Sequence, residues 1–311
     1  MPNTHVVLGA GPVGRAVVAA LVARGIEPTV VTCSGSVVPG AGSRRADIRD
    51  LRQATAALAA AELVFQCAQP PYHRWPDRFP ALQAAVVEAA SAAGALLVVT
   101  ENLYGYGPVS GPITEDLPLA ATTRKGAVRA RMWRDLELAH HAGRLRVVAA
   151  RGSDLFGPGA VDSAVGSRFF TALSRGRPAA VIGNPDRLHT YTYVGDLGEA
   201  MVRLSETPRT WGSAWHVPNA PTVSTRTFAG LAAGLVGMDA RLRRIAPWQL
   251  RLLGAAVPAL RETVEMLYEF DDDWLVDHSD YASVVGDHAT PLDQALAATI
   301  ASPKRAPAAA A

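Results

Sequence analysis

Close to its N-terminus the chain runs His5-Val6-Val7-Leu8, then Gly9-Ala10-Gly11-Pro12-Val13-Gly14, then a stretch of helical periodicity from Arg15 to Arg24. An apolar strand, a glycine turn and a helix in that order limit the possible folds more than any other feature. The three glycines serve different ends. Gly9 makes the turn, Gly11 lets a phosphate approach the backbone, and Gly14 lets helix and strand pack closely. The start of the helix offers free N–H groups and the positive end of its dipole. Pro12 has no N–H, so the donors there are Val13 and Gly14. The pattern predicts a dinucleotide site, with a purely structural turn as the alternative.

Farther along, apolar runs at 5–8, 29–32, 63–67, 96–100 and 145–151 alternate with helical patterns at 13–24, 82–93 and 124–141. Such alternation predicts an α/β fold with a Rossmann-type doubly wound parallel sheet, because each crossover helix must cover one sheet face. Ligands of such sheets gather beyond the carboxyl ends of the strands. After Gly157-Pro158-Gly159 the rhythm loosens into strand-like pieces near 180–182, 191–194 and 215–217. Helical patterns follow at 225–237, 248–256, 260–268 and 292–300, with Pro247, Pro258 and Pro291 at their starts. The expectation is a dinucleotide-binding domain over 1–158, a smaller C-terminal α/β substrate lobe over 159–302 with some segments returning to the sheet, and a disordered tail over 303–311.

The 311 residues are 49% apolar with a net charge of +2, and Arg and Lys are dispersed. A core is therefore easily built, and no basic face predicts a nucleic-acid partner. Cys33 and Cys67 lack a CxxC or metal-ligand spacing, so both read as reduced thiols and no metal is expected. No signal-peptide pattern or membrane-length apolar run is present, which predicts a cytoplasmic protein without a membrane partner.

An NAD site usually carries an acid after the second strand, about 20 residues beyond the turn, for the ribose 2′-OH. Here Thr29-Val30-Val31-Thr32 runs into Cys33-Ser34-Gly35-Ser36, without an acid. The hydroxyls of Ser34 and Ser36, backed by Arg44 or Arg45, favour NADP(H) over NAD(H), unless both arginines are merely solvated. Asp47 and Ile48 open a segment that either reaches the adenine edge or caps a helix.

Five ordered motifs, spread over nearly the whole chain, together resemble the extended short-chain dehydrogenase/reductase superfamily, specifically its NAD-dependent epimerase/dehydratase group. Four of them, all beyond the glycine turn, are Cys67-Ala68-Gln69-Pro70 after the fourth strand, Val98-Val99-Thr100-Glu101-Asn102-Leu103-Tyr104-Gly105, Pro112-Ile113-Thr114-Glu115-Asp116, and Arg151-Gly152-Ser153-Asp154-Leu155-Phe156-Gly157-Pro158. Thr192-Tyr193-Val194-Gly195-Asp196 is similar to the entry into the substrate lobe. The resemblance implies cofactor contacts from Cys67, Ala68, Gln69 and Ser153, and a polarising hydroxyl at Thr100.

It also implies a Tyr-x-x-x-Lys dyad, and here the chain departs: Lys125 stands at the tyrosine position and Arg129 at the lysine position. Four-residue spacing puts both on one helix face, so both are expected to turn toward the cofactor cleft. Arg129 can keep the ribose hydrogen bonds. Lys125 serves as the acid only if burial and a neighbouring cation lower its pKa. A displaced acid is the other solution, with Tyr104, Tyr106, Tyr72 and Tyr191 as candidates near the cleft. Asn102 is expected to orient a substrate carbonyl, and Glu101 to face the opposite side of its strand. Where nucleotide-sugar members carry a phosphate-binding Arg, this chain has His189, which argues against a nucleotide sugar.

The function implied is NAD(P)-dependent hydride transfer to or from a small, non-nucleotide carbonyl or alcohol. Two alternatives stand beside it: a catalytically silent NADP(H)-binding sensor, and an epimerase or dehydratase that retains NAD. A homodimer is expected by family analogy alone.

Overall fold

The structure, a computed structural model, describes residues 4–246, 248–250 and 264–302. Most of the helical stretches expected at 248–256 and 260–268 falls outside those residues, as do Pro247, Pro258 and the expected tail.

The first half folds as β1 (His5–Leu8), α1 (Pro12–Val22), β2 (Thr29–Thr32), β3 (Gly42–Arg45), α2 (Leu51–Leu58), β4 (Leu63–Gln66), α3 (Trp75–Ala93), β5 (Leu96–Glu101), α4 (Arg124–His141) and β6 (Arg146–Arg151). It continues through β7 (Asp154–Phe156), α5 (Ser167–Leu173), β8 (Ala179–Ile182), β9 (Leu188–His189), β10 (Tyr191–Tyr193), α6 (Val194–Ser205), β11 (Ala214–His216), β12 (Val223–Ser224), α7 (Thr225–Gly234) and β13 (Leu242–Ile245). Short helices at Tyr268–Asp271, Ser279–Val285 and Leu292–Ala301 end the described chain.

Seven strands form one parallel sheet in the order β11-β6-β5-β4-β1-β2-β3. The chain builds outward from β1 to β3, then crosses back to β4 and builds the other way. The switch point therefore lies between β1 and β4, where a crevice opens at the strands' carboxyl ends. Strand alternation divides the core between the two sheet faces. Val7, Phe65, Val98 and Val148 face α1 and α6, whereas Leu8, Val64, Val99 and Val147 face α2, α3 and α4. Both faces are covered, which is why the strands read as continuous apolar runs rather than alternating ones.

Two elements depart from the sequence-based boundaries. Helix α3 begins at Trp75, not near 82, and holds Pro80 inside it. Pro76 sits in its first turn, where no intrahelical N–H is needed, so the two prolines hide a helix start without preventing it. Helix α6 follows the substrate-lobe strands in sequence yet lies on the sheet beside α1. A Cβ on Gly198 would stand 2.6 Å from Ala16, so only glycine admits this approach. The smaller lobe gathers Phe156, Phe169, Leu173, Val181, Tyr191 and Phe228 into its own core around paired short strands.

Candidate active site

The glycine turn closes over the sheet end. Gly9 has φ +101°, a conformation that disfavours a side chain, and a Cβ there would lie 3.0 Å from the Ala68 backbone. Its N–H donates to the Val31 carbonyl at 3.0 Å, and Arg15 Nε donates to the Ala10 carbonyl at 3.0 Å. A Cβ on Gly14 would stand 2.1 Å from the Gly9 oxygen, so helix and turn touch through backbone. Gly11 differs: nothing lies within 4 Å of its Cβ direction. No side chain caps α1 and no acid occupies its first turn. A Cβ on Gly159 would stand 3.9 Å from Pro12, so the 157–159 loop passes near the turn. An open cradle with the Val13 and Gly14 N–H groups at the start of the helix fits a diphosphate.

Beyond β2, the Ser34 and Ser36 hydroxyls are 2.7 Å apart and exposed. Arg45 lies beside them, its Nε on the Cys33 carbonyl at 3.0 Å. Arg44 turns away to the Ala57 carbonyl at the end of α2. Asp47 is bound by Arg49, Oδ2 to Nη2 at 2.6 Å, and this pair holds its carboxyl down at about 2. Asp50, not Asp47, caps α2 by accepting from the Arg52 and Gln53 N–H groups. The Ile48 side chain is core, packed among Val6, Leu8 and Ala54, so any cofactor contact from this residue must come from its backbone.

Strand β5 presents the next groups. Thr100 points toward α6 and donates to Met201 Sδ at 3.3 Å, a weak acceptor that a carbonyl oxygen can replace. Cys67 lies beside it, its thiol pushed up to about 12 by burial. Gln66 Nε2 fixes the next turn by donating to the Ala68 carbonyl at 2.9 Å, while Gln69 is exposed. Asn102 Oδ1 accepts the Tyr104 N–H at 3.3 Å, which shapes the loop. Ser153 donates its N–H to Thr192 Oγ1 at 2.8 Å; its own hydroxyl is buried and, among the described residues, has no partner.

Lys125 and Arg129 of α4 do not converge on one point. Lys125 is fully buried, its Nζ 2.9 Å from Glu265 Oε1 and 4.4 Å from the centroid of the Tyr72 ring. Glu265 also accepts the Arg124 N–H at 2.9 Å, so it caps the start of α4. Arg129 points inward instead, to Glu101 Oε1 at 2.8 Å and the Thr100 carbonyl at 3.0 Å, with Phe79 and Trp75 beside its guanidinium. The residue expected to contact the ribose thus takes part in a buried ion pair. Glu101 does face away from Thr100, as strand alternation requires.

Of the four candidate tyrosines, Tyr72 and Tyr104 meet at the cleft, hydroxyl to hydroxyl at 3.4 Å. Burial raises both hydroxyls well above the usual tyrosine value, with Glu269 and Asp154 adding to it. Tyr106 is elsewhere: it accepts from Arg151 at 2.6 Å and meets His216 Nε2 at 2.8 Å, deep beside the sheet. Tyr191 belongs to the smaller C-terminal core, bonded to Thr225. His189 Nε2 meets Asp154 Oδ2 at 2.8 Å and its ring stacks on Phe270. Among the described residues no group of three or more His, Cys, Asp or Glu is placed to hold a metal ion.

Residues 5–217, more than half of the chain, match the NAD dependent epimerase/dehydratase family. The chain belongs to that family. No curated protein matches its sequence. Among solved structures it is similar to UDP-glucuronic acid 4-epimerase from Bacillus cereus in complex with NAD, at 16% identity and TM-score 0.75, covering 95% of this chain and 96% of that one. The UDP-glucose 4-epimerase of Thermotoga maritima with UDP-glucose shows 18% identity and TM-score 0.77, with 95% and 96% covered. MoeE5 in complex with UDP-glucose and NAD reaches 22% identity and TM-score 0.74, with 95% and 96% covered. At these identities the likeness establishes the epimerase-type fold. No described helix is long and apolar enough to cross a membrane.

Within this epimerase/dehydratase fold, sequence reasoning missed Glu265, the carboxylate that answers Lys125. Glu265 and Glu269 stand four apart in the apolar run Val264–Phe270, a spacing that marks one helix face and could have served as a signal. That Glu265 meets Lys125 could not be read, because 140 residues separate them.

Proposed function

We propose that this family member binds an NAD(P) dinucleotide on the Gly9–Gly14 turn and oxidises or reduces a small alcohol or carbonyl. The observation that carries the proposal is the cradle itself, an uncapped helix start facing the open space beyond Gly11. When bound, the nicotinamide supplies or accepts hydride. Val13 and Gly14 donate to the diphosphate. Ser34, Ser36 and Arg45 form a polar, exposed rim suited to a 2′-phosphate, which supports NADP(H) over NAD(H). The Thr100 hydroxyl, engaged by the weak sulfur partners Met201 and Cys67, can turn to donate to a substrate oxygen.

Lys125 stands at the motif position of the acid, but its Nζ is engaged by Glu265 at 2.9 Å rather than set beside a cation, so the proton donor is sought among the neighbouring hydroxyls. Tyr104 and Tyr72 line the same recess as further hydroxyl donors. The solved neighbours include complexes with UDP-glucose and UDP-glucuronic acid. Here His189 is turned onto Asp154 and Phe270, which supports a substrate without a nucleotide diphosphate.

A silent NADP(H)-binding sensor is the second reading, favoured by one observation: Lys125 and Arg129 are both paired with carboxylates of the chain itself. Gly11→Val tests the common premise. Gly11 has φ −72° and free space at its Cβ, so the variant should fold normally yet lose at least ~10-fold in dinucleotide affinity by calorimetry. Unchanged affinity would remove the proposed cofactor site. Turnover of a carbonyl panel, falling in Thr100→Ala while binding is kept, separates enzyme from sensor; tight binding with no turnover on any substrate favours the sensor.

A further inference from the structure

Strands β8 and β13 of the smaller lobe run parallel, so both start at one end of it and finish at the other. The finishing end lies toward the candidate site: Asn184, just past β8, donates its N–H to the Phe270 carbonyl at 2.8 Å, and the Phe270 ring stacks on His189. The starting end points the other way and brings two turns together. Arg175 and Arg177 lie in the turn from α5 into β8, and Met238 in the turn from α7 into β13; a Cβ on Gly176 would stand 3.6 Å from Met238 Sδ. Arg241 enters beside β8, its carbonyl accepting the Ala179 N–H at 2.8 Å. Arg243 and Arg244 follow on β13.

Cations dispersed along the sequence are thus collected by the fold. All five arginines are exposed, and among the described residues none has an ion pair or a side-chain hydrogen bond. The one acid within 174–182 and 235–246 is Asp239, so these two segments hold a net +4 against +2 for the whole chain. Unpaired like charges at such spacing repel one another, and only an anionic partner turns them to advantage.

The adjoining surface is apolar. Helix α7 buries Phe228, Ala229, Ala232 and Ala233, whereas Leu231, Leu235 at its C-cap and Met238 just beyond are 44%, 47% and 43% exposed. From Thr227 to Met238 there is no charged residue. Nothing lies within 4 Å of a Cβ on Gly230 or Gly234, so the outward face of the helix is bare. Grouped exposed aliphatic side chains mark a surface that meets something other than water.

We propose that this end of the lobe docks on an anionic membrane surface, with the recess around His189 and Phe270 at the far end of the same strands. Headgroup phosphates take the arginines, and the acyl boundary takes Leu231, Leu235 and Met238. Two-fold pairing with a second copy would set one arginine cluster against another. A nucleic acid would press the aliphatic side chains onto phosphate. The proposal stands apart from the oxidoreductase reading and needs no spanning helix. The sequence expectation of no membrane partner rested on spanning and signal segments, whereas this surface exists only after folding.

Flotation of the full chain tests it, with vesicles of phosphatidylcholine alone and of phosphatidylcholine with about one third phosphatidylglycerol. The parent should float with the anionic vesicles and not with the neutral ones, and salt at about 0.5 M should release most of it. Arg175→Glu with Arg241→Glu should weaken the binding at least ~10-fold. Leu235→Gln with Met238→Gln keeps every charge and should weaken it at least ~3-fold through lost apolar contact. All four side chains are exposed, so urea midpoints and dinucleotide titrations of both variants should match the parent's. No flotation with anionic vesicles, equal flotation with neutral ones, or parent-like flotation of the glutamate variant overturns the proposal. So does parent-like flotation of the glutamine variant, because the patch would then respond to charge alone and any polyanion would serve.

Discussion

Glu101 and Arg129 show what a single side chain decides here. Both are 4% exposed in their side chains, and the guanidinium also donates to the Thr100 carbonyl at the end of β5. Burial raises the Glu101 carboxyl above its ordinary value, while Arg129 and Arg151 restrain the rise. Removing one partner of such a pair strands the other, at a cost of roughly 3–5 kcal/mol, whereas replacing both by apolar groups is often neutral. Glu101→Gln should therefore lose about 3 kcal/mol or more in urea unfolding, and Glu101→Leu with Arg129→Met should recover most of it. A double variant no more stable than the single one would mean the pair is not what holds α4 to β5. The sequence shows Lys-x-x-x-Arg plainly and predicts the face of Glu101 from strand alternation. It does not say that a strand carboxylate captures the arginine, because that depends on how far α4 sits over β5. Side-chain types are thus legible where partners are not.

Elements are more legible than partners. The strand–helix rhythm predicts the parallel sheet, and the glycine pattern predicts the crevice at its switch point, because both arise from local chemistry repeated at fixed spacing. Nothing local assigns helix α6 to this sheet, since its docking depends on Gly198 meeting Ala16, a contact between segments far apart in the chain. Gly198→Leu should force α1 and α6 apart and lower stability by roughly 1–3 kcal/mol. Because α1 follows the glycine turn proposed to hold the dinucleotide, the same variant should also weaken dinucleotide binding. Gly11→Val makes the contrasting case, losing affinity without stability. A Gly198→Leu protein as stable as the parent would show that the helices tolerate separation and that their close approach has another purpose.

At the scale of the whole molecule, the lobes are joined where β5, β6 and β11 end side by side. Glu101, Arg151 and His216 are cross-strand neighbours there. Tyr106 accepts from Arg151 and donates to His216 Nε2, so the His216 proton lies on Nδ1 and is given to the Asp277 carbonyl at 2.8 Å. Glu115 accepts the His216 N–H, and Ile113 pairs with Val276, so loop 113–115 and segment 275–277 close over the row. A neutral imidazole satisfies every contact, and burial accordingly pushes His216 down to about 4.

A depressed base contributes stability that is present above its unfolded pKa of 6.5 and lost as pH falls through about 4. Glu115 works in the opposite sense. Burial raises it to about 6, so its contribution is present below 4.5 and lost as pH rises through about 6. At about 1.4 kcal/mol per pKa unit the histidine effect is the larger, so this region should lose on the order of 1–2 kcal/mol between pH 6.5 and 4. His216→Gln removes the dominant group and leaves Glu115, so the slope contributed by this region should reverse and its stability should rise as pH falls. Urea midpoints at about pH 7, 5.5 and 4 read the difference directly. If parent and variant change in parallel across that range, the acid sensitivity of the lobe junction originates outside His216.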